Sequence, residues 1–231
     1  MITLGIDTAG PATAVALWQG TARHGQALAA NTVSMTRGHA EAVMPMVGEI
    51  VAKGLGPKGF AAITRVAALS GPGSFTGIRI GVAAARGLAL AIGCPAVAVT
   101  AFEAAAALHT QSGDADGPFA IAFDAKRGQV YLQNFDASGH PLAIPAAVDL
   151  DNPANAVAPD VTLLLGSGAG ALAEALARAR RNISTADAPP RETDIVARLG
   201  AGVAVGPPPL PLYLRPPDAK PQRPALERAP H

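Results

Sequence analysis

Charge is scarce in this chain: 15% of its 231 residues are Asp, Glu, Lys or Arg, against roughly a quarter in an average globular protein. Yet 49% are hydrophobic, which excludes an intrinsically disordered chain, since disorder needs low hydrophobicity and high net charge. The net charge of +1 gives no basic surplus of the kind an autonomous nucleic-acid binder carries. A single cysteine, Cys94, excludes an internal disulfide and a cysteine-rich zinc site. The five histidines (His24, His39, His109, His140, His231) never fall three to five residues apart, so no helical His pair is set to bind zinc. Long uncharged apolar runs are missing too; the nearest, from Ile80 to Pro95, is interrupted by Arg86. The opening Met1 to Asp7 has no basic region and reads as no signal peptide. These absences predict a soluble, cytoplasmic, globular chain with no membrane partner.

Alanine is abundant, and arginine outnumbers lysine 14 to 4. This reads as a genomic bias, and it weakens amphipathic periodicity as a guide to helix faces. The coarse layout is nonetheless legible. Ile2 to Thr8 is a strand closed by Asp7, Thr13 to Trp18 is its hairpin partner, and a third strand lies near His24 to Ala30. A helix runs from about Gly38 to Gly54, a buried strand from Arg65 to Leu69, and a second helix from about Gly77 to Ile92. Pro95 to Val99 is a strand and Ala101 to Leu108 a helix, before a Gly/Asp-rich loop at Gln111 to Pro118. Then the opening pattern returns: Phe119 to Asp124 is a strand closed by an acid, with Gln129 to Phe135 as hairpin partner. Val161 to Leu165 runs into Gly166-Ser-Gly-Ala-Gly170 and an Ala-rich helix to about Arg181. Nine of the 21 prolines fall between Pro207 and Pro230, predicting an extended tail. The expected division is an N-terminal half over 1–110, a C-terminal half over 118–215 and a Pro-rich tail over 216–231. Two related α/β halves, each opening with strand, acid and hairpin, is the layout of the actin-like, Hsp70-like ATPase fold, which is ribonuclease H-like.

Two glycine loops invite a chemical reading. Ser70-Gly-Pro-Gly-Ser-Phe-Thr76 opens a helix, where free N–H groups and the dipole favour an anion. It is no Walker loop, because no Gly-Lys-Ser/Thr follows. The alternative is that Thr76 caps the helix and the glycines permit close packing. Gly166-Ser-Gly168 matches a dinucleotide pattern weakly, with Asp187 about twenty residues on and Ala188-Pro-Pro190 where a strand should end. Both readings stay open; if the loops and the strand-closing acids contact an anion or nucleotide, the candidate residues are Asp7, Thr8, Gly71, Gly73, Ser74, Thr76, Asp124, Gly166 and Gly168. No serine sits in a nucleophile-elbow register.

Between Ile78 and Ile92 the only charged side chains are Arg79 and Arg86, and the rest is apolar or Gly on every side. Such a helix needs burial on more than one side. In the preceding helix Val43, Val47, Ile50 and Val51 form a core stripe, with Ala42 and Met46 read onto another face.

The run Ser70-Gly-Pro-Gly-Ser-Phe-Thr-Gly-Ile-Arg-Ile-Gly81 closely resembles the TsaB family, formerly YeaZ. Ile6-Asp7-Thr8, Gly38-His-Ala-Glu41 with Met44-Pro45, Val99 to Ala104, Asp124 to Tyr131 and Pro211 to Arg215 agree, so the likeness spans about residues 2 to 215. It implies a non-catalytic, activating subunit of the complex that transfers a threonylcarbamoyl group to an adenosine of tRNAs. The catalytic paralogue, TsaD, carries a His-x-Glu-x-His helix; aligned on Glu103, the ligand positions here are Ala101 and Ala105, which cannot hold a metal. The implied partner surface lies on the two N-terminal helices, at His39, Ala42, Met46, Glu49, Arg79, Ile80, Ala83, Ala84 and Gly87. The implied partners are TsaD, the ATPase TsaE, and a second copy of the chain when TsaD is absent, with tRNA reached only through the complex. No cofactor is required, though weak ATP or ADP binding is compatible with the fold. Rival readings are a sugar-kinase-like ATPase holding Mg²⁺ on Asp7 and Asp124, a metal-dependent peptidase relative, and an adaptor unrelated to tRNA.

Overall fold

The computed structural model describes residues 1–113 and 116–215, so the tail over 216–231 lies outside the described residues. The first sheet is built from β1 (Ile2–Asp7), β2 (Ala12–Gly20), β3 (Gly25–Ser34), β4 (Arg65–Gly71) and β5 (Ala96–Thr100), in the order β3-β2-β1-β4-β5. The second uses β6 (Phe119–Lys126), β7 (Gln129–Phe135), β8 (Ala146–Asp149), β9 (Leu163–Leu165) and β10 (Ser184–Ala186), in the order β8-β7-β6-β9-β10. In each sheet the first three strands are antiparallel, and the fourth and fifth run parallel to the first. The two sheets therefore have one topology used twice, the duplicated actin-like arrangement that the repeated strand-acid-hairpin pattern predicts.

The helices are α1 (His39–Leu55), α2 (Phe75–Ile92), α3 (Ala101–Ser112), α4 (Ala169–Arg178) and α5 (Ile195–Gly200). Parallel strands need a crossover, and α1, α2 and α4 supply three of them; the link from β8 to β9 has no helix. Alternation along the strands sorts their side chains. Leu4, Ile6, Val15 and Leu17 join α1 and α2 in the main core, while Ala16 and Trp18 point the other way, onto Ala197 and Ala201 at α5. Gly5 permits that second contact, because a β-carbon there would lie 2.4 Å from the Ala197 backbone nitrogen.

Two helices cross between the halves. α5 follows the second sheet in sequence but lies on the first, with its last carbonyl, Gly200, and that of Val203 just beyond it held by the Arg65 guanidinium at 2.7 and 2.5 Å. α3 follows the first sheet, and its Phe102, Ala105 and Ala106 pack with Phe119, Ile121, Phe135 and Leu165 of the second. The exchange ties the halves together through apolar contact rather than through a single linker.

Three sequence expectations need correction. α2 begins at Phe75, and its N-cap is Ser74, whose hydroxyl accepts from the Gly77 N–H at 3.2 Å; Thr76 is exposed and caps nothing. β8, β10 and α5 were not expected. The strand interruption read at Ala188-Pro-Pro190 comes too late to matter, since β10 ends at Ala186 and completes a parallel unit with β9 and α4.

Candidate functional site

α1 and α2 lie side by side on one face of the first sheet. Toward the sheet, α1 buries Val43, Met46, Val47, Ile50 and Val51, and α2 buries Ile78, Val82, Ala85, Leu88 and Ala89. Their outer surface stays unusually apolar. Leu90 is 85% exposed, Met44 45% and Phe75 48%, beside exposed Ala83 and Gly87. At Gly48 and Gly87 a β-carbon would meet nothing within 4 Å, so the face is open to close approach. α2 is the one helix among the described residues long and apolar enough to cross a membrane, but its inner side packs on the sheet.

The nine residues assigned to a partner surface divide. Ala83, Gly87, Arg79 and Glu49 are exposed, and Ala42, Ile80 and Ala84 are half-buried against the core. His39 and Met46 point inward. His39 is buried, with Nδ1 2.8 Å from the Thr13 hydroxyl, and Met46 is 6% exposed in the main core. The reason is spacing: Met46 lies three after Val43 and four before Ile50, within the stripe itself. Met44, Phe75 and Leu90 are the apolar surface side chains that the sequence reading missed. Arg79 lies 3.7 Å from the Phe75 ring centroid and donates from Nε to the Tyr213 hydroxyl at 2.6 Å.

Between the halves is a cleft of about 530 Å³, lined among others by Asp7, Gly10, Thr32, Phe123, Ser167 and Arg191. Asp7, which closes β1, is 2.6 Å from the Arg191 guanidinium, and its other oxygen accepts from the Ala9 N–H at 2.8 Å. Asp124, its counterpart in β6, accepts from the Lys126 N–H at 2.7 Å and pairs with Nζ at 2.5 Å. The Lys126 side-chain bond, then its backbone N–H, holds the Asp124 carboxyl below the usual carboxylate value. Both acids that the rival kinase-like reading places on Mg²⁺ are thus partnered by cations of the chain itself. No group of three or more His, Cys, Asp or Glu among the described residues is arranged to hold a metal ion.

The glycine loops serve packing. At Gly73 a β-carbon would lie 2.5 Å from the Ala9 carbonyl oxygen, and at Gly168 2.8 Å from Val130 Cγ1. At the N-terminus of α2, the candidate anion position, the Ser74 N–H donates to the Ala9 carbonyl at 2.8 Å. Thr8 adds a bond from its hydroxyl to the Gly77 carbonyl at 2.6 Å. Gly71 adopts φ +115°, and Gly166 φ +107° as β9 turns into α4. On α3, Ala101 and Ala105 are 2% and 6% exposed, and Glu103 forms a capping box with Thr100, its carboxylate accepting from the Thr100 N–H at 2.7 Å.

A family model described as TsaD, tRNA N6-adenosine threonylcarbamoyltransferase, matches residues 28–189. The chain is 36% identical over 139 residues to the tRNA threonylcarbamoyladenosine biosynthesis protein TsaB of Escherichia coli, covering 58% of this chain and 55% of that relative. It spans about half the length of that protein and of its Haemophilus influenzae and Bacillus subtilis counterparts. An uncharacterised protein of Mycobacterium tuberculosis is 32% identical over 223 residues, covering 94% of this chain and 93% of the relative. YeaZ from Pseudomonas aeruginosa shares the fold, with TM-score 0.68 and 24% identity over 86% of this chain and 91% of that one.

Proposed function

Because the chain belongs to the TsaB (YeaZ) family of tRNA threonylcarbamoyladenosine biosynthesis proteins, we propose that it is the non-catalytic subunit that activates TsaD by pairing with it. The observation that carries this reading is the outer face of α1 and α2, where Leu90, Met44, Ala83 and the open Gly48 and Gly87, edged by Phe75 beside Arg79 and Tyr213, form an apolar surface that the described residues leave largely exposed. Contiguous exposed apolar surface marks an interaction site. Small residues let a partner helix approach closely, and the face is isologous when two copies meet. In this reading the chain forms a homodimer when alone, pairs with TsaD when it is present, and contributes to the junction at which the ATPase TsaE docks. It works in the cytoplasm, and tRNA is reached through the complex.

Two observations support the non-catalytic role. Ala101 and Ala105 stand where the resemblance places metal ligands of TsaD, and both are buried without polar atoms. Asp7 and Asp124 are each engaged by a neighbouring cation. The chain needs no cofactor of its own, and ATP or ADP binds its cleft weakly at most.

The test replaces Leu90 by Glu. Placing an unpaired carboxylate in a helix-helix contact costs several kcal/mol, and about 3 kcal/mol is more than a hundredfold in affinity. The Leu90→Glu chain should stay folded, elute apart from TsaD and fail to stimulate threonylcarbamoyl transfer to tRNA. Undiminished pairing and stimulation would remove this face from the interface.

A further inference from the structure

The first turn of α2 is gripped by the second half of the chain at two separate points. One runs through the cleft. Arg191, just before α5, holds Asp7 at 2.6 Å, with the Arg191 and Asp7 side chains 33% and 13% exposed. The same carboxylate accepts from the Ala9 N–H, the Ala9 carbonyl accepts from the Ser74 N–H, and the Thr8 hydroxyl donates to the Gly77 carbonyl. Consecutive residues of one turn thus link a guanidinium of the second half to the N-cap and first turn of α2. The other grip comes from the segment at 209–215. Leu212 donates its N–H to the Ser70 carbonyl at 2.8 Å. Tyr213 receives the Arg79 Nε–H at 2.6 Å, its ring 5.3 Å from that of Phe75. Arg215 anchors the far end on Gln129 and the Lys126 carbonyl.

The core of the first half is filled by the sheet, α1, α2 and α3, with Ile195 and Val196 of α5, and neither Arg191 nor Tyr213 belongs to it. Both converge on Ser74 to Arg79, the segment that sets where Phe75 and Arg79 stand. A partly desolvated ion pair is directional, and removing one partner leaves the other charge poorly solvated. Coupling between separate elements is carried by such contiguous bonded contacts.

We infer that Arg191 and Tyr213 are positioning residues through which the second half fixes the first turn of α2 and, with it, the Phe75–Arg79 edge of the pairing face. The inference rests on the reading of that face as the surface for TsaD. Arg191 acts from the cleft through Asp7, Thr8 and Ala9. Tyr213 acts directly on Arg79.

Hydrogen exchange on the full chain tests this with Arg191→Gln and, as a variant that removes a single oxygen, Tyr213→Phe. Each should speed exchange of the Ser74 to Arg79 amides about threefold or more, with α4 unchanged as the internal control. Affinity for TsaD should fall about threefold to tenfold, the size of effect such linking residues have. Arg191→Lys, which keeps the charge, should recover most of both. A residue that merely tethers its own loop would loosen 187–194 and leave α2 unmoved. Unchanged exchange in the first turn of α2 in both variants overturns the inference, whatever happens to pairing. Faster exchange with unaltered TsaD affinity upholds the linkage and instead removes this face from the pairing surface.

Discussion

Gly77 packs so closely on Thr8 that a β-carbon at Gly77 would fall 2.0 Å from the Thr8 carbonyl oxygen. The neighbouring atom is backbone, so it has nowhere to move. A β-carbon at Gly73 would likewise fall 2.5 Å from the Ala9 carbonyl oxygen, and one at Gly81 2.6 Å from the Thr8 hydroxyl. The Gly-Pro-Gly-Ser-Phe-Thr-Gly run is therefore the device that seats α2 directly on the end of β1. Gly77→Ala should destabilise the fold by about 2–4 kcal/mol, in the range of overpacking a close contact, measured by urea denaturation. Gly87→Ala is the contrast. Its site is open, and Ala is favoured over Gly in a helix by about 1 kcal/mol, so the monomer should be unharmed or stabilised. If Gly77→Ala unfolds at the wild-type urea concentration, the close seating of α2 is wrong.

Charge placed along α1 and α2 should separate folding from pairing. Ala83→Glu faces solvent and should leave the circular dichroism spectrum and melting temperature close to wild type while abolishing association. Met46→Glu puts a carboxylate among Val43, Val47 and Ile50 and should unfold the chain, since a buried unpaired charge costs several kcal/mol. Ala84→Glu lies between them, half-buried against the core, and should lose stability as well as pairing. A folded, stable Met46→Glu protein would contradict the inward placement of that side chain.

The duplicated layout was legible because each half starts with the same strong local signals, a strand closed by Asp and a hairpin. What escaped reading had weak local signals. β10 is three exposed residues, Ser184-Thr-Ala186, placed by pairing with β9 and by contact with α4. α5 is six residues without a side-chain cap, and its place is set by the first sheet, far away in sequence. The faces of α1 were hard to assign because Ala and Gly fill positions where charged residues would mark the solvent side. Met46 could have been placed by its i+3 step from Val43; Arg191 could not, because nothing local ties it to Asp7, 184 residues earlier.

The Thr100–Glu103 capping box on α3 predicts a modest, purely structural effect. Thr100→Ala should cost about 1 kcal/mol, the usual value for losing an N-cap side chain. Glu103→Gln should cost less, since an amide oxygen can still accept from the Thr100 N–H. A chelator should leave the melting temperature of the wild-type chain unchanged, because Ala101 and Ala105 flank Glu103 with nothing that can ligate. A melting temperature that falls on chelation and returns with added zinc or iron would show that this helix, or another, does hold a metal.

Asp124 and Lys126 give a prediction about pH with a definite sign. The Asp124 carboxyl is held below its ordinary value by the Lys126 side chain and N–H. A carboxylate with a depressed folded pKa adds stability that is present above the unfolded value, near 3.9, and is lost as pH falls through the lower folded value. The amount is small, because the side chains of Asp124 and Lys126 are 39% and 81% exposed and water screens the pair. Lys126 also sits at φ 62°, where a non-glycine residue costs about 1–2 kcal/mol. Lys126→Gly relieves that strain and keeps the backbone N–H bond, but loses the Nζ bond and loosens the unfolded chain by roughly 0.5–1 kcal/mol. These terms nearly cancel, so stability at neutral pH should change by less than about 1 kcal/mol, since an exposed ion pair is worth no more than that. The Asp124 midpoint, followed by carboxyl-carbon NMR, should rise only part of the way to the ordinary value, because the N–H bond remains. A midpoint that does not move in Lys126→Gly would assign the whole depression to the backbone and none to the ammonium group.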